Sequence, residues 1–299
     1  MFDQFKHFTF FSDLSTIAQF GTGLPVIGTI NYKSRTSKLN RLSTTEYLAI
    51  PKSFLAFLIG FIDGDGYIGI QKNYSGSITV HLTISLHIDD ITILNYIQSV
   101  LKLGKVYAYP ERKTPSVRLI FTKSELQEVL FPLFFHHGLF FLTNTRRAQY
   151  YMAIHVFNNN VNKYLDLPSV APVIQELPTS ALEYTHLGFF KDWVVGFVCA
   201  EGSFLVKQNN DGCFQIKQRL HLLLFESFKL VFNTNRKITV DKELYLQFGV
   251  SSKADIQNVI KFFSFSGYHP LIGLKNIQYS SWLEKLRNSE RYKNLKFPV

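Results

Sequence analysis

The chain has 299 residues, and its 32 Lys and Arg against 22 Asp and Glu produce a formal net charge of +10. That balance favours an anionic partner, either nucleic acid or an acidic membrane surface. Because the basic residues are spread along the chain, with no basic amphipathic helix and no apolar run of about 20 residues, we expect no membrane partner. Two cysteines form neither a metal-ligand pattern nor a disulfide framework, which predicts a reducing compartment.

The first segment, residues 1–46, is interpreted as an N-terminal extension of uncertain order. It contains Gly21-Thr-Gly, but no Gly-Lys-Ser/Thr follows, so we do not expect a nucleotide-binding loop. It also lacks the n-region, h-region and cleavage site of a signal peptide. The rest of the chain is predicted as a first half-domain over 47–156, a linker over 157–186 and a second half-domain over 187–299. The linker is indicated by an Asn-rich turn and three prolines.

Two near copies of one apolar segment stand at the start of the two half-domains, Phe57–Gly66 and Trp193–Gly202. Each is predicted as a buried helix that is too short to cross a membrane. Small residues four apart share one face of each helix, so the two helices can pack backbone to backbone. These small residues are Gly60, Gly64, Gly196 and Ala200.

The same two segments end in carboxylates, Asp65 and Glu201, each followed by a glycine. Packing of the helices would bring the two acids together, although a carboxylate at the C-terminus of a helix is electrostatically disfavoured. A divalent metal ion, completed by water and substrate phosphate, would offset that cost. We predict Gly66 and Gly202 to be left-handed C-caps. A cap alone does not explain why an acid precedes both glycines.

Leu58–Gly66 and Val194–Gly202 resemble the two motifs of a single-chain LAGLIDADG homing endonuclease. The resemblance covers most of residues 50 to 285, since the order of elements after each motif (hairpin, helix, hairpin, helices) is also similar. It implies an α+β fold of two pseudo-symmetric halves, each a curved antiparallel sheet, or saddle, backed by helices and joined at the paired motif helices. It also implies that Asp65 and Glu201 bind the catalytic metals. Cys199 stands where the first copy has Asp63, a position that is structural in the family, so little consequence is expected.

After each motif the hydrophobic pattern changes to strict alternation, which predicts half-buried strands with one polar face. The major groove of DNA admits such a two-stranded ribbon. Candidate DNA-binding residues in the first half are Tyr67, Gly69, Gln71, Asn73, Thr79, His81 and Thr83, with Tyr107 and Tyr109 on a third strand over 105–109. In the second half they are Ser203, Leu205, Lys207, Asn209, Gln215 and Lys217, with Thr239 and Asp241 on a third strand over 237–241. The two sets differ, so an asymmetric target is predicted, while a merely solvated face stays the alternative for each residue.

Further catalytic candidates follow from the resemblance. The segment His269–Lys275 is similar to the family segment that carries a lysine, and Phe214–Gln218 to the segment with a water-ordering glutamine, which implies roles for Lys275 and Gln218. In the first half the counterpart segment offers Arg146, or Thr145 depending on the gap, in place of lysine. Leu86 stands where the glutamine would fall. Phosphodiester hydrolysis needs such charge neutralisation and water positioning near the scissile phosphates.

The resemblance implies a monomeric, Mg²⁺-dependent endonuclease that cuts a long double-stranded DNA site to leave 3′ overhangs and mobilises its host intron. Mn²⁺ is expected to substitute, and Ca²⁺ to bind without supporting cleavage. The chain contains 29 Phe and 15 Tyr, which is typical of AT-rich coding. Because intron-borne members of the family it resembles are common in fungal mitochondrial genomes, the resemblance implies a mitochondrial origin. Two alternatives stay open: an RNA maturase that binds its host intron RNA and assists splicing, and a catalytically degenerate DNA-binding module.

Overall fold

The computed structural model describes residues 41–172 and 175–299. Most of the predicted N-terminal extension therefore lies outside the described residues. The rest forms two halves with the same order of elements, so the predicted α+β fold of two pseudo-symmetric halves is confirmed. Among the described helices, none is long and apolar enough to cross a membrane.

In the described part of the first half there are four strands and six helices, with two further turns of helix between them. Its helices are α1 (Thr44–Leu48), α2 (Lys52–Asp65), α3 (Ile91–Leu101), α4 (Lys123–Glu125), α5 (Phe131–His136) and α6 (Asn144–Asn158). Its strands are β1 (Gly66–Lys72), β2 (Ile78–His87), β3 (Lys105–Tyr109) and β4 (Ser116–Phe121). A 3₁₀ turn over Ile88–Asp90 precedes α3, and a π-helical turn over Leu126–Leu130 joins α4 to α5.

The second half repeats this order after a 3₁₀ turn at Tyr164–Asp166. Its helices are α7 (Ala181–His186), α8 (Phe190–Glu201), α9 (Leu222–Val231), α10 (Lys253–Phe265) and α11 (Gly273–Arg287). Its strands are β5 (Gly202–Val206), β6 (Gly212–Arg219), β7 (Thr239–Asp241) and β8 (Tyr245–Val250). Helix α7 lies within the predicted linker, and the domain boundaries stay predictions.

Each half contains one antiparallel sheet of four strands, in the orders β1-β2-β4-β3 and β5-β6-β8-β7. The second hairpin that the resemblance implied in each half is present, but the sequence analysis assigned residues only to its first strand. The fourth strands, β4 and β8, lie between the second and third strands of each sheet. Strand β3 has the predicted bounds, whereas β7 begins at Thr239 rather than at residue 237. The apolar side chains of both sheets face helices and form one core that is rich in stacked phenylalanine rings.

The motif helices α2 and α8 pack against each other through their glycines, as predicted. A Cβ added at Gly60 would clash with the carbonyl oxygen of Trp193, and one added at Gly196 would clash with that of Phe57. Each helix therefore places its backbone directly against the other, which only glycine allows. Further along, a Cβ at Gly64 would clash with Ala200.

The predicted left-handed caps at Gly66 and Gly202 are wrong. Both residues are extended, with φ −81° and ψ 163° at Gly66 and φ −81° and ψ 158° at Gly202, because each helix continues directly into a strand. Glycine is required here for space rather than for φ. A Cβ would lie 2.6 Å from a side-chain methyl four residues earlier, on Ile62 in the first copy and on Val198 in the second.

Candidate active site and nucleic-acid interface

The carboxylates of Asp65 and Glu201 lie at the ends of the packed helices, where each helix becomes the first strand of its sheet. The Cγ of Glu201 is 3.2 Å from the position that a Cβ would take at Gly64, the residue before Asp65. Burial raises the pKa of Asp65 from 3.8 to about 6. Burial, and then the charge of Asp65, raises the pKa of Glu201 from 4.5 to about 7. The two acids therefore form one repelling pair at the centre of the molecule.

A divalent cation fits this pair chemically. Two partly buried carboxylates without a bound cation repel each other, and hard oxygen ligands are what Mg²⁺ and Ca²⁺ prefer. Among the described residues no group of three or more His, Cys, Asp or Glu side chains could hold a metal ion. The protein would thus supply only part of the coordination shell, which leaves positions for water and for an anionic substrate.

Two cations flank the acids, one from each half. Arg146, in the first turn of α6, is buried and donates hydrogen bonds to the carbonyl of Ile62 at 2.9 Å and to Gln149 Oε1 at 2.5 Å. Lys275, in the first turn of α11, donates to the carbonyl of Gly202. Burial lowers the pKa of both cations, while the charges of Asp65 and Glu201 oppose that shift.

The structure places Arg146, not Thr145, opposite Lys275 in the pseudo-symmetry. In each half a glutamine follows three residues after the cation. Its side chain accepts a hydrogen bond from a backbone amide of the strand that begins directly after the motif helix, β1 or β5. Gln149 accepts from Ile68 N at 3.1 Å, and Gln278 accepts from Phe204 N at 3.5 Å. Each cation also lies three residues after the N-cap residue of its helix, Thr143 for α6 and Ile272 for α11, so the two sequences align without a gap at the cation.

Gln218 donates a hydrogen bond from its Nε2 to Glu201 Oε1 at 2.6 Å. The strand registers place Leu86 at the equivalent position of the first half. Ile84 lies opposite Gly66 and Ile216 lies opposite Gly202, so residues 86 and 218 follow two positions later in both halves. Among the described residues no donor is hydrogen-bonded to the Asp65 carboxylate. The surroundings of the two acids are therefore unequal.

Asp63 and Cys199 occupy equivalent positions in the two motifs but make different contacts. Asp63 is buried and accepts hydrogen bonds from Leu142 N, Thr143 N, Thr143 Oγ1 and Trp193 Nε1 at 2.6 to 3.1 Å. It thus connects α2, α6 and α8. Cys199 is also buried, and burial raises the pKa of its thiol to about 12. It therefore packs as a neutral side chain.

The candidate DNA-binding residues of the first half share the face of the sheet opposite the helices. The register pairs Tyr67 with Thr83, Gly69 with His81, and Gln71 with Thr79. Gly69 is buried because the His81 and Tyr67 rings cover it, and a Cβ there would be 2.7 Å from each. Asn73 lies beyond the end of β1, in the turn. Tyr107 and Tyr109 lie on the same face at the edge strand.

The second half presents the corresponding face. Ser203 pairs with Gln215, and the side chain of Gln247 on β8 donates to Gln215 at 3.0 Å. Lys217 forms an ion pair with Asp241. The register also places Leu205, which is partly buried, and Thr239, which is exposed on the edge strand, on this face. Only two predicted residues have another setting, since Lys207 and Asn209 lie in the turn after β5.

Arg118 was missed because no residues were assigned to the fourth strand, β4. Its position alternates with buried Val117 and Leu119, a pattern that could have identified it. It pairs with Ser85 on one side and Tyr107 on the other. Within the described chain its Nε is buried without a hydrogen-bond partner. Other residues of the two polar faces that were not named as candidates are Ser85, which the alternation already placed on this face, and Ser116, Ile120, Tyr245, Gln247 and Gly249.

Comparisons with known proteins agree with this geometry. A family model described as LAGLIDADG endonuclease matches residues 58–154. The chain is 23% identical over 249 residues to the probable intron-encoded endonuclease aI3 of Dictyostelium citrinum, covering 81% of this chain and 95% of that protein. It is 26% identical over 267 residues to the probable intron-encoded endonuclease Cox1-I1b of Schizosaccharomyces pombe, covering 81% of this chain and 66% of that protein.

Solved structures share the fold. The meganuclease I-SmaMI bound to uncleaveable DNA is similar with a TM-score of 0.59 and 18% identity, covering 78% of this chain and 90% of that one. The LAGLIDADG meganuclease I-CpaMI bound to uncleaved DNA is similar with a TM-score of 0.57 and 21% identity, covering 77% and 90%. The first half thus matches the LAGLIDADG endonuclease family model, and the whole chain, with its two motif helices and two matching sheets, has the fold of the two-motif LAGLIDADG meganucleases.

Proposed function

We propose that this protein is a site-specific endonuclease that hydrolyses one phosphodiester bond in each strand of a long, asymmetric DNA duplex. The observation that carries the proposal is the pair of partly buried acids, Asp65 and Glu201, at the junction of two sheets with polar outer faces. A binding protein would have no use for two carboxylates held in mutual repulsion beside the phosphates of its ligand.

DNA binding is supported by the charge and by the polar faces of the sheets. The net charge of +10 suits the displacement of counterions from phosphates. The two sheets present different side chains, so each would read a different half of the target through the major groove. The meganucleases I-SmaMI and I-CpaMI, which share the fold, were crystallised with DNA. The proposed base readers are the strand residues named from the sequence, together with Arg118 and Gln247.

Asp65 and Glu201 would hold Mg²⁺, which when bound activates water and stabilises the charge that develops on the phosphate. Gln218 orients the Glu201 carboxylate through its hydrogen bond. Lys275 and Arg146 would neutralise charge near the scissile phosphates, since both lie close enough to Asp65 and Glu201 to affect their pKa. Staggered cuts with 3′ overhangs are part of the proposal.

We further propose that the protein acts as a monomer, because one chain contains both acids and both sheets. Mn²⁺ would substitute for Mg²⁺. Ca²⁺ would bind without supporting cleavage, and the related I-SmaMI has been crystallised with uncleaved DNA in the presence of calcium ions. Named relatives are intron-encoded or mitochondrial proteins, which supports an intron-encoded, mitochondrial origin.

The test is cleavage of duplex libraries that include candidate intron insertion sites, in Mg²⁺, in Ca²⁺ and in EDTA. Discrete double-strand cuts are expected in Mg²⁺ alone, and both Asp65→Asn and Glu201→Gln should abolish them while DNA binding in Ca²⁺ persists. Tight binding without a cut in Mg²⁺ or Mn²⁺ would sink the proposal and favour a binding module. The maturase alternative is tested separately, by measuring whether the protein binds its host intron RNA and assists its splicing.

A further inference from the structure

Helix α11, which carries Lys275, begins without a capping hydrogen bond from a side chain of its own N-cap residue. Its N-cap is Ile272, an apolar residue whose side chain makes no capping hydrogen bond. The first helical residue, Gly273, has φ +63°, a conformation that glycine adopts at no steric cost. The unpaired amides of this first turn need an acceptor from elsewhere in the molecule.

That acceptor is Asp90, which belongs to the other half. Its Oδ1 accepts a hydrogen bond from Leu274 N at 2.9 Å, across 184 residues of sequence. A Cβ at Gly273 would clash with the same carboxylate oxygen, so the glycine also makes room for Asp90. The residue after Leu274 is the catalytic candidate Lys275. The charge of Asp90 opposes the lowering of the Lys275 pKa that burial causes.

The first half has no such arrangement, because α6 is held by its own motif. Asp63 accepts from the amides of Leu142 and Thr143, and the Thr143 side chain accepts from Arg146 N. In the second motif Cys199 replaces that acid. The backbone of Ile272 lowers the pKa of the Cys199 thiol against the effect of burial, but a neutral thiol is a weak acceptor.

We propose that Asp90 is a positioning residue for Lys275, and that it substitutes from the first half for the acid that is missing at Cys199. This inference rests on the proposed endonuclease function. Asp90 orients the first turn of α11 so that the Lys275 ammonium stays beside Asp65 and Glu201. The rate at which one strand is cut therefore depends on the contact between the two halves.

The test is strand-resolved cleavage by Asp90→Ala, with Asp89→Ala as the matched control. Asp89 is the exposed neighbour, and its carboxylate lies 3.1 Å from His87 Nδ1. Since a misplacement of about 1 Å can cost about 100-fold in rate, Asp90→Ala should slow at least about tenfold the same strand cut that Lys275→Ala slows. DNA binding in Ca²⁺ should not change, and Asp89→Ala should cut normally.

Three further variants separate positioning from a general structural role. Asp90→Asn keeps an oxygen for Leu274 N and should retain most of the rate. The double variant Asp90→Ala with Lys275→Ala should be no slower than Lys275→Ala alone. Cys199→Asp should restore part of the rate to Asp90→Ala.

Equal slowing of both strands, additive losses in the double variant, or an Asp90→Ala enzyme as fast as the control would each overturn the inference. Failure of the endonuclease proposal would look different, because the wild type itself would then cut no duplex in Mg²⁺. Hydrogen exchange at the Leu274 amide supplies a readout that needs no cleavage. Its protection should fall in Asp90→Ala and persist in Asp89→Ala, and unchanged protection would also overturn the inference.

Discussion

At the scale of single residues, the two acids of the centre are each held in a site that disfavours their charge. Both pKa values are raised, to about 6 for Asp65 and about 7 for Glu201, mainly by burial. When the pH lies between the ordinary pKa values of 3.8 and 4.5 and these raised values, the folded state therefore binds more protons than the unfolded chain. Their contribution to stability is present below about pH 4 and is lost as pH rises through 7.

This linkage predicts how a divalent cation affects stability. A cation that binds only the deprotonated pair should stabilise the protein more at pH 8 than at pH 5. The measurement is the thermal midpoint with and without millimolar Ca²⁺ at the two pH values. The double variant Asp65→Asn with Glu201→Gln serves as control and should show no Ca²⁺ shift. An equal shift at both pH values would contradict the prediction.

Leu86 makes the surroundings of the two acids unequal, since Gln218 has no counterpart in the first half. We expect the two strands to be cut at different rates, so that a nicked intermediate accumulates. Leu86→Gln should raise the slower rate by up to about tenfold, because a positioned donor is added beside the reacting groups. Quenched time courses on supercoiled plasmid measure nicked and linear products. Leu86→Met is the control, and nicks that persist equally in both variants would reject the idea.

At the scale of elements, the contact between α2 and α8 joins the two halves. Gly60→Ala should destabilise the protein by about 3 kcal/mol or more, because its methyl group would meet the backbone of Trp193 rather than a side chain that can move. Gly188→Ala is the matched control, since a Cβ there has no atom within 4 Å. Urea unfolding midpoints compare the two. Similar midpoints would mean that the helices can separate at little cost.

Asp63 connects three helices, whereas its counterpart Cys199 does not. Asp63→Ala leaves the amides of Leu142 and Thr143 and the indole of Trp193 without an acceptor. We expect a loss of about 3 kcal/mol or more, since several buried donors are orphaned. Cys199→Ala should cost less than about 1.5 kcal/mol because it removes one small apolar group. Unfolding by urea checks both, and equal losses would refute the distinction.

At the scale of the whole molecule, two unlike sheets form one recognition surface. Arg118 lies on an inner strand of the first sheet, and within the described residues its buried Nε has no hydrogen-bond partner. Arg118→Ala should weaken the free energy of binding to the target DNA by about 1 to 3 kcal/mol. It should also reduce the preference for the target base at one or two base pairs. Arg112→Ala, in the turn before β4, should weaken binding evenly across sequences. Binding to a library of single-base target variants in Ca²⁺ distinguishes the two patterns, and a uniform loss in Arg118→Ala would contradict base reading.

The sequence by itself determined the features that depend on local periodicity. The repeated apolar segments predicted two packed helices that end in Asp65 and Glu201, and strict alternation predicted the first strands and their polar faces. Small residues four apart must share a helix face, and alternate residues must share a strand face, whatever surrounds them. The family resemblance extended this to the α+β fold and the peripheral candidates.

Only the tertiary structure decided what depends on residues far apart in the chain. It placed β4 between β2 and β3, identified Arg146 rather than Thr145 as the first-half cation, and showed Gly66 to be crowded rather than left-handed. It also brought Asp90 to the lysine helix across 184 residues. Such contacts are set by how the two halves pack, and a pattern that repeats every two or four residues holds no information about a partner in the other half.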